Sequence, residues 1–287
     1  MMKRFVMIVV CVCVALALTA QSQRPVYQKT DSLTICRLLS EARQQPRTTN
    51  MPLFFARKFM GIPYVAHTLE REGDERLVVN TRQLDCTTLV ENVTALTQCI
   101  YRQQFSWKAY LKALTAMRYR EGIIDRYPSR IHYFTEWITQ NSKRGLVTEI
   151  QQPNPPFTNI QTVNVNYMSR HPESYQALRQ HPDYVSEIRR MEQRLSGQQF
   201  RYILKSRVGR SAELKKVVHD GDIIAITCKK DGLDIAHLGF AVWKNGNLHL
   251  LNASQIHKKV VEESMTLWQY LQKHPSHTGI RIIRINQ

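Results

Sequence analysis

Apolar positions recur every three or four residues through the first half of the chain. Through the second half they alternate or form short unbroken runs. Leu33, Cys36, Leu39 and Ala42 make one such stripe. With Asp31 or Ser32 as a start signal they predict a helix over 29–44. A second short helix is expected at 52–60, closed by Gly61 and Pro63, with 61–65 as a loop leading into an extended stretch. Residues 77–80 read as a short strand. Leu89, Val93, Leu96 and Ile100 mark one face of a long helix from about 86 to 101, and two more helices fit 106–118 and 129–140.

Gln152-Pro153-Asn154-Pro155-Pro156 interrupts this series. Residues 160–167 alternate as a strand does, and 172–195 look helical and highly charged. Beyond them the chain turns β-rich, with strands expected at 200–204, 223–227, 235–243, 248–251 and 280–285 and a short helix at 267–271. Gly221-Asp222 and Asn245-Gly246-Asn247 are turn signals, the second a hairpin marker. Helices followed by an antiparallel meander predict an α+β fold. With no repeat and no linker, 153–156 is read as a loop, and 21–287 as one domain.

Composition narrows the classes. The 287 residues are 43% hydrophobic and 9% aromatic, enough to build a core, so a disordered chain is excluded. Only 11 Gly and 11 Pro exclude collagen-like and low-complexity classes. Forty Lys and Arg against 23 Asp and Glu, a formal charge of +17, invite a nucleic-acid reading. The N-terminus argues against it. Lys3 and Arg4 precede an apolar run of roughly 14 residues, which ends at Thr19-Ala20 before a polar stretch: the layout of a secretory signal peptide cut after Ala20. A spanning helix needs about 20 apolar residues, so a membrane anchor is disfavoured. Lipidation at Cys11 or Cys13 is disfavoured too, because Val10 and Val12 stand where a small residue is wanted.

Cleavage would remove Lys3 and Arg4 and no acidic residue, leaving +15. An exported basic protein, expected periplasmic or extracellular, meets acidic wall peptides and glycans rather than genomic nucleic acid. Its cationic residues are also scattered, and a solvated basic surface accounts for most of them. Of the four cysteines left, Cys36, Cys86, Cys99 and Cys228, none forms a CxxC pair, so a zinc ribbon or thioredoxin-type site is not supported. An oxidising compartment would allow two disulfides.

One cysteine stands out. In Asp85-Cys86-Thr87-Thr88, Asp85 is a good N-cap, which puts Cys86 in the first helical turn. There the helix end favours thiolate, and free backbone N–H groups can hold an oxyanion. The alternative is a half-buried structural or disulfide cysteine. A nucleophilic thiol needs a histidine. His237 lies in an otherwise apolar strand, with Gly239 two positions on leaving room beside it, and is either that base or a satisfied core histidine. The strand returning from Asn245-Gly246 carries Asn252 and His249, either of which could orient the ring. Arg130, His132, Tyr133 and Trp137 fall at spacings that share a helix face. Arg suits a peptide carboxylate, and Trp and Tyr a sugar face. Tyr64 and His67 are candidates for the same groove. The alternative for each is core packing.

The order of Cys at a helix start, His on a strand and a polar residue on the next strand resembles the NlpC/P60 cysteine peptidases. Four segments narrow the resemblance: Gly61-Ile-Pro-Tyr-Val-Ala-His-Thr-Leu-Glu70, Leu84-Asp-Cys-Thr-Thr-Leu-Val-Glu91, Tyr119-Arg-Glu-Gly122 with Ser129-Arg-Ile-His-Tyr-Phe-Thr-Glu-Trp137, and Gly232-Leu-Asp-Ile-Ala-His-Leu-Gly-Phe240. They are similar to the bacterial family first called domain of unknown function 1460, the N-acetylmuramoyl-L-alanine amidase-like family. The resemblance implies a papain-like α+β core and a secreted peptidoglycan hydrolase. It makes Cys86 the nucleophile and His237 the base. Asn252-Ala253-Ser254 stands where the superfamily usually has His-Ala-Ser, a departure that leaves the orienting role open between Asn252 and His249, though papain-like enzymes elsewhere use Asn there.

The cut implied is the amide between muramic acid's lactyl group and L-alanine in muropeptides, with a preference for anhydro-muramic ends. Most NlpC/P60 relatives cut the D-glutamyl–diamino acid bond instead, and that specificity is the first rival. A non-catalytic wall-binding protein on the same fold is the second. Neither a cofactor nor a metal is expected, and HExxH, GxSxG and phosphate-loop motifs are absent from the sequence. No stable partner beyond the muropeptide is implied, and a monomer is expected.

Overall fold

The computed structural model describes residues 24–287, so the expected signal peptide lies outside the described residues. Among these residues seven helices have six or more residues: α1 (Lys29–Arg43), α2 (Met51–Lys58), α3 (Cys86–Tyr101), α4 (Trp107–Arg118), α5 (Phe134–Lys143), α6 (Tyr184–Leu195) and α7 (Leu267–Gln272). Eight strands form one antiparallel sheet: β1 (Val147–Ile150), β2 (Asn159–Thr162), β3 (Gln199–Leu204), β4 (Ile223–Cys228), β5 (Ile235–Lys244), β6 (Asn247–Ser254), β7 (Lys259–Glu262) and β8 (His277–Ile285). The order is β2-β3-β8-β4-β5-β6-β7, with β1 pairing the C-terminal half of β8. This is an α+β architecture.

The sheet is buried on both faces, which is why its central strands read as unbroken apolar runs. Along β4, Ile223 and Ala225 join a core with Leu89, Val90 and Val93 of α3, while Ile224 and Ile226 join Leu267 and Leu271 of α7 on the opposite face. The hairpin between β5 and β6 closes at Asn245 and Gly246, with φ of 49° and 80°. Positive φ at both positions is the type I′ geometry that Asn-Gly favours.

Four expectations need correction. Residues 77–80 do not form a strand; Val78 alone makes a parallel bridge to Val26. The helix expected at 129–140 begins only at Phe134, because Pro128 sits in a 3-10 turn (Tyr127–Ser129) and Arg130 turns extended to pair with Tyr119. Arg130, His132 and Tyr133 therefore do not share a helix face with Trp137. The expected strand over 160–167 ends at Thr162. The helix over 172–195 is broken at Tyr175, which turns extended after a 3-10 turn (Pro172–Ser174), and at His181, where Pro182 disfavours helix in the residue before it. This middle segment builds a core of its own from Tyr127, Tyr133, Met168, Ile188 and Met191. That core lies against the cavity described next.

Candidate active site

Asp85 caps α3 as its sequence suggests. Its carboxylate accepts the Thr88 N–H at 2.8 Å, and Thr88 Oγ1 accepts the Asp85 N–H at 2.9 Å. This capping box uses the N–H of the third helical residue. The N–H groups of Cys86 and Thr87 precede the first intrahelical bond. Both residues line a cavity of about 190 Å³. Across it stand Ile235, Ala236, His237 and Leu238 of β5, and the middle segment closes the remaining side with Tyr127, His132, Tyr133 and Trp137. The structure thus brings Cys86 and His237 to one hollow.

Register pairs Phe240 of β5 with Leu251 of β6. That places Asn252 against the imidazole, with Nε2 of His237 2.9 Å from Oδ1 of Asn252. Asn252 is fully buried, and its Nδ2 donates to Oε1 of Glu263 at 3.1 Å. A carboxylate only accepts, so the NH₂ of Asn252 must face Glu263 and its oxygen must face His237. His237 then carries its proton on Nε2, and Nδ1 keeps the lone pair. His249, the other candidate for this role, instead meets the backbone carbonyl of Glu263 at 3.1 Å. The ring of Tyr270 stacks beside the imidazole, centroids 6.2 Å apart. Gly239 does not leave room beside His237 as expected. A Cβ there would lie 2.6 Å from the Leu251 carbonyl and 2.7 Å from Leu250, which fills the space.

The charge state of the thiol differs from the helix-end argument. Burial, and then the adjacent Asp85 carboxylate, push Cys86 up to about 12, while the N–H of Leu238 and contacts with Thr87 pull it down. A helix end contributes about 0.3–1 kcal/mol, too little to offset desolvation of this size. Burial also lowers the His237 pKa below its ordinary value, against the pull of Asn252 and the Glu263 charge. These shifts favour a thiol at Cys86 and a neutral imidazole at His237 at neutral pH.

The other sequence candidates divide. His132, Tyr133 and Trp137 line the cavity. His132 lies 3.1 Å from the Tyr127 carbonyl through Nε2, and burial and Arg130 hold its pKa well below the ordinary value. Tyr133 donates to Glu192 at 2.7 Å, and Trp137 stacks on Phe134 with a buried, unpaired Nε1. Tyr64 lies beside Cys86: burial first, then Cys86 and Asp85, push its phenol up to about 12. Arg130 faces a neighbouring hollow, where its guanidinium meets Glu70 at 2.5 Å and Glu75 at 3.7 Å, so its charge is met inside the protein. His67 adopts a left-handed φ of 61° in its loop and does not line the cavity. Glu263, Tyr270 and Tyr127 were not singled out from sequence. The four cysteines 36, 86, 99 and 228 are free thiols. Among the described residues, no group of three or more His, Cys, Asp or Glu is placed to hold a metal ion, and no helix is long and apolar enough to cross a membrane.

Several histidines near this site have lowered pKa values, chiefly through burial: His237, His132, His274, and His277 at about 4. Below about 6.5, the unfolded value, the unfolded chain binds more protons than the folded one. The stability these histidines contribute is therefore complete above pH 6.5 and is lost as pH drops toward 4. Calorimetry between pH 7.5 and 4.5 should show Tm declining on the acid side, and a flat Tm would contradict these shifts.

The chain is similar to known proteins over most of its length. The family model described as AmiA-like, N-acetylmuramoyl-L-alanine amidase-like, matches residues 54–280. A crystal structure of an N-acetylmuramoyl-L-alanine amidase from Bacteroides uniformis superposes with a TM-score of 0.78 at 38% identity, covering 83% of this chain and 98% of that one. A Bacteroides fragilis protein provisionally called a xylanase superposes with a TM-score of 0.76 at 36% identity, covering 80% and 99%. The Legionella pneumophila protein LPG0564 shares the fold, with a TM-score of 0.70 at 22% identity over 90% and 95% of the two chains. No curated protein sequence matches.

Proposed function

The chain belongs to the N-acetylmuramoyl-L-alanine amidase-like family, and from that premise we propose that it is an exported, cysteine-dependent amidase of peptidoglycan fragments. It cuts the amide between the lactyl group of N-acetylmuramic acid and L-alanine, with a preference for anhydro-muramic ends, and it needs no cofactor. The fold is read as a papain-like core of the NlpC/P60 type, acting as a monomer. The observation that carries the reading is Cys86 and His237 on one cavity, with His237 held through Asn252.

Nδ1 of His237 takes the thiol proton as Cys86 Sγ attacks the lactyl carbonyl carbon. The N–H groups of Cys86 and Thr87 receive the oxyanion. The imidazolium returns the proton to the nitrogen of L-alanine as the C–N bond breaks, leaving a thioester. His237 then deprotonates water, which attacks the thioester, and the proton passes back to sulfur. His132, Tyr133 and Trp137 line the substrate's place, with Tyr64 beside the nucleophile. The basic surface draws acidic stem peptides toward it.

A glycosidase reading, which the xylanase name would suggest, needs two free carboxyls. The carboxylates lining the cavity are both engaged: Glu70 with Arg130, and Asp234 with the N–H groups of Thr135 at 2.7 Å and Ile235 at 2.8 Å. Digestion of defined muropeptides followed by mass spectrometry tests the proposal. Free disaccharide and an intact peptide are expected. A disaccharide-dipeptide product would make the enzyme a D-glutamyl endopeptidase, and no cleavage would make it a binder.

A further inference from the structure

Glu263 lies just beyond β7 and is 4% exposed. Its two carboxylate oxygens are both used. Oε1 accepts from Nδ2 of Asn252 at 3.1 Å, and Oε2 lies 3.2 Å from Nε2 of His257, whose side chain is 48% exposed. A continuous line of polar contacts therefore runs from solvent through His257, Glu263 and Asn252 to the imidazole of His237. We propose that Glu263 is a positioning residue for the reaction: it fixes the orientation of the Asn252 amide and so holds His237 with its proton on Nε2 and its basic lone pair on Nδ1. This rests on the catalytic reading above.

An amide side chain is nearly symmetric in shape, so packing alone does not choose between its two orientations. In the flipped state Asn252 would offer NH₂ to Nε2 and stabilise the tautomer with hydrogen on Nδ1, which cannot accept the thiol proton. The buried carboxylate excludes that state, because two acceptors would then face each other without a proton between them. Its negative charge also favours the imidazolium that forms during attack. The groups facing Glu263 are His237 on β5, Asn252 and His249 on β6, His257 in the β6–β7 turn, and Tyr270 and His274 on and after α7. Neighbouring Glu262 meets Arg57 instead, at 3.3 Å.

Glu263→Gln keeps the size of the side chain but can donate as well as accept, so it releases the lock. The variant is expected to lose about 10- to 100-fold in kcat with KM within about twofold of wild type. Iodoacetamide labelling of Cys86 across pH reads the same base without any muropeptide, and should be slower with its acid limb moved to lower pH. Nitrogen-15 spectra of histidine-labelled protein should show His237 protonated on Nε2 in wild type and a mixture of tautomers in Glu263→Gln. Unchanged kcat with an unchanged labelling profile would overturn the proposal. So would wild-type His237 protonated on Nδ1, a result that does not depend on the variant folding. If defined muropeptides are not cleaved by wild type, the substrate reading fails, while labelling and spectra still decide the role of Glu263.

Discussion

Cys86→Ala is expected to lower kcat by at least about 10⁴-fold while leaving the fold intact. The loss is large because no other group can take the place of sulfur in the thioester. The neighbouring hydroxyl at the cavity, Thr87, is a far weaker nucleophile than a thiol at neutral pH. The fold should survive because Cys86 is half-buried, its carbon framework is retained, and the Asp85–Thr88 capping box is untouched. Tm should therefore move by a few degrees at most, for a stability change of about 1 kcal/mol. Cys36, Cys99 and Cys228 serve as internal controls, since each is a free thiol away from the cavity lining. Their alanine variants should keep activity, with Cys99→Ala, which empties a buried site, the least stable of the three. Full activity in Cys86→Ala would sink the mechanism, and loss of activity together with loss of the folded circular-dichroism signal would call for Cys86→Ser in its place.

The parts of this site that could be read from sequence are those written in local rules. Asp85 before an apolar stripe announces a helix start, and the helix runs over Cys86–Tyr101 as the stripe predicts. Asn245-Gly246 announces the hairpin, and the hairpin brings Asn252 to His237. Glu263 could not be found this way. It stands 26 residues from His237 in a polar stretch, next to Glu262, and only alternation carried one residue past the end of β7 turns one carboxylate inward and the other toward Arg57. The shared helix face expected of Arg130, His132 and Tyr133 failed for the opposite reason, although His132 and Tyr133 still line the cavity. Their spacing satisfied a helical template, but Pro128 and the pairing of Arg130 with Glu70 and Glu75 hold that stretch extended. Sequence spacing describes what an element would do if it formed. Whether it forms here is decided by long-range charge pairs that spacing does not contain.

The helix that carries Cys86 is also tied down by one such pair, and breaking it unevenly should have unequal effects. Glu91 on α3 accepts from Nε of Arg118 at 2.7 Å, and both side chains are 2% exposed. Arg118 also donates to the Val78 carbonyl at 2.6 Å, so it fastens α3 and α4 to the segment that leads into Asp85 and Cys86. Glu91→Leu strands a guanidinium that cannot lose its proton, and is expected to cost about 3–5 kcal/mol. Arg118→Met strands a carboxyl instead. Burial already raises the Glu91 pKa, against the pull of Arg118. Without Arg118 the carboxyl can bind a proton and become neutral, so this variant should cost less than Glu91→Leu. The double variant Glu91→Leu with Arg118→Met replaces both charges by apolar groups and should recover most of the loss, since a buried pair swapped for packed hydrophobic side chains is often close to neutral. Urea unfolding of the three proteins measures this directly. Single variants within about 1 kcal/mol of wild type would show that the pair is not desolvated as its burial implies. A double variant no better than Glu91→Leu would show that the hydrogen bond to Val78, rather than the ion pair, holds α3 in place.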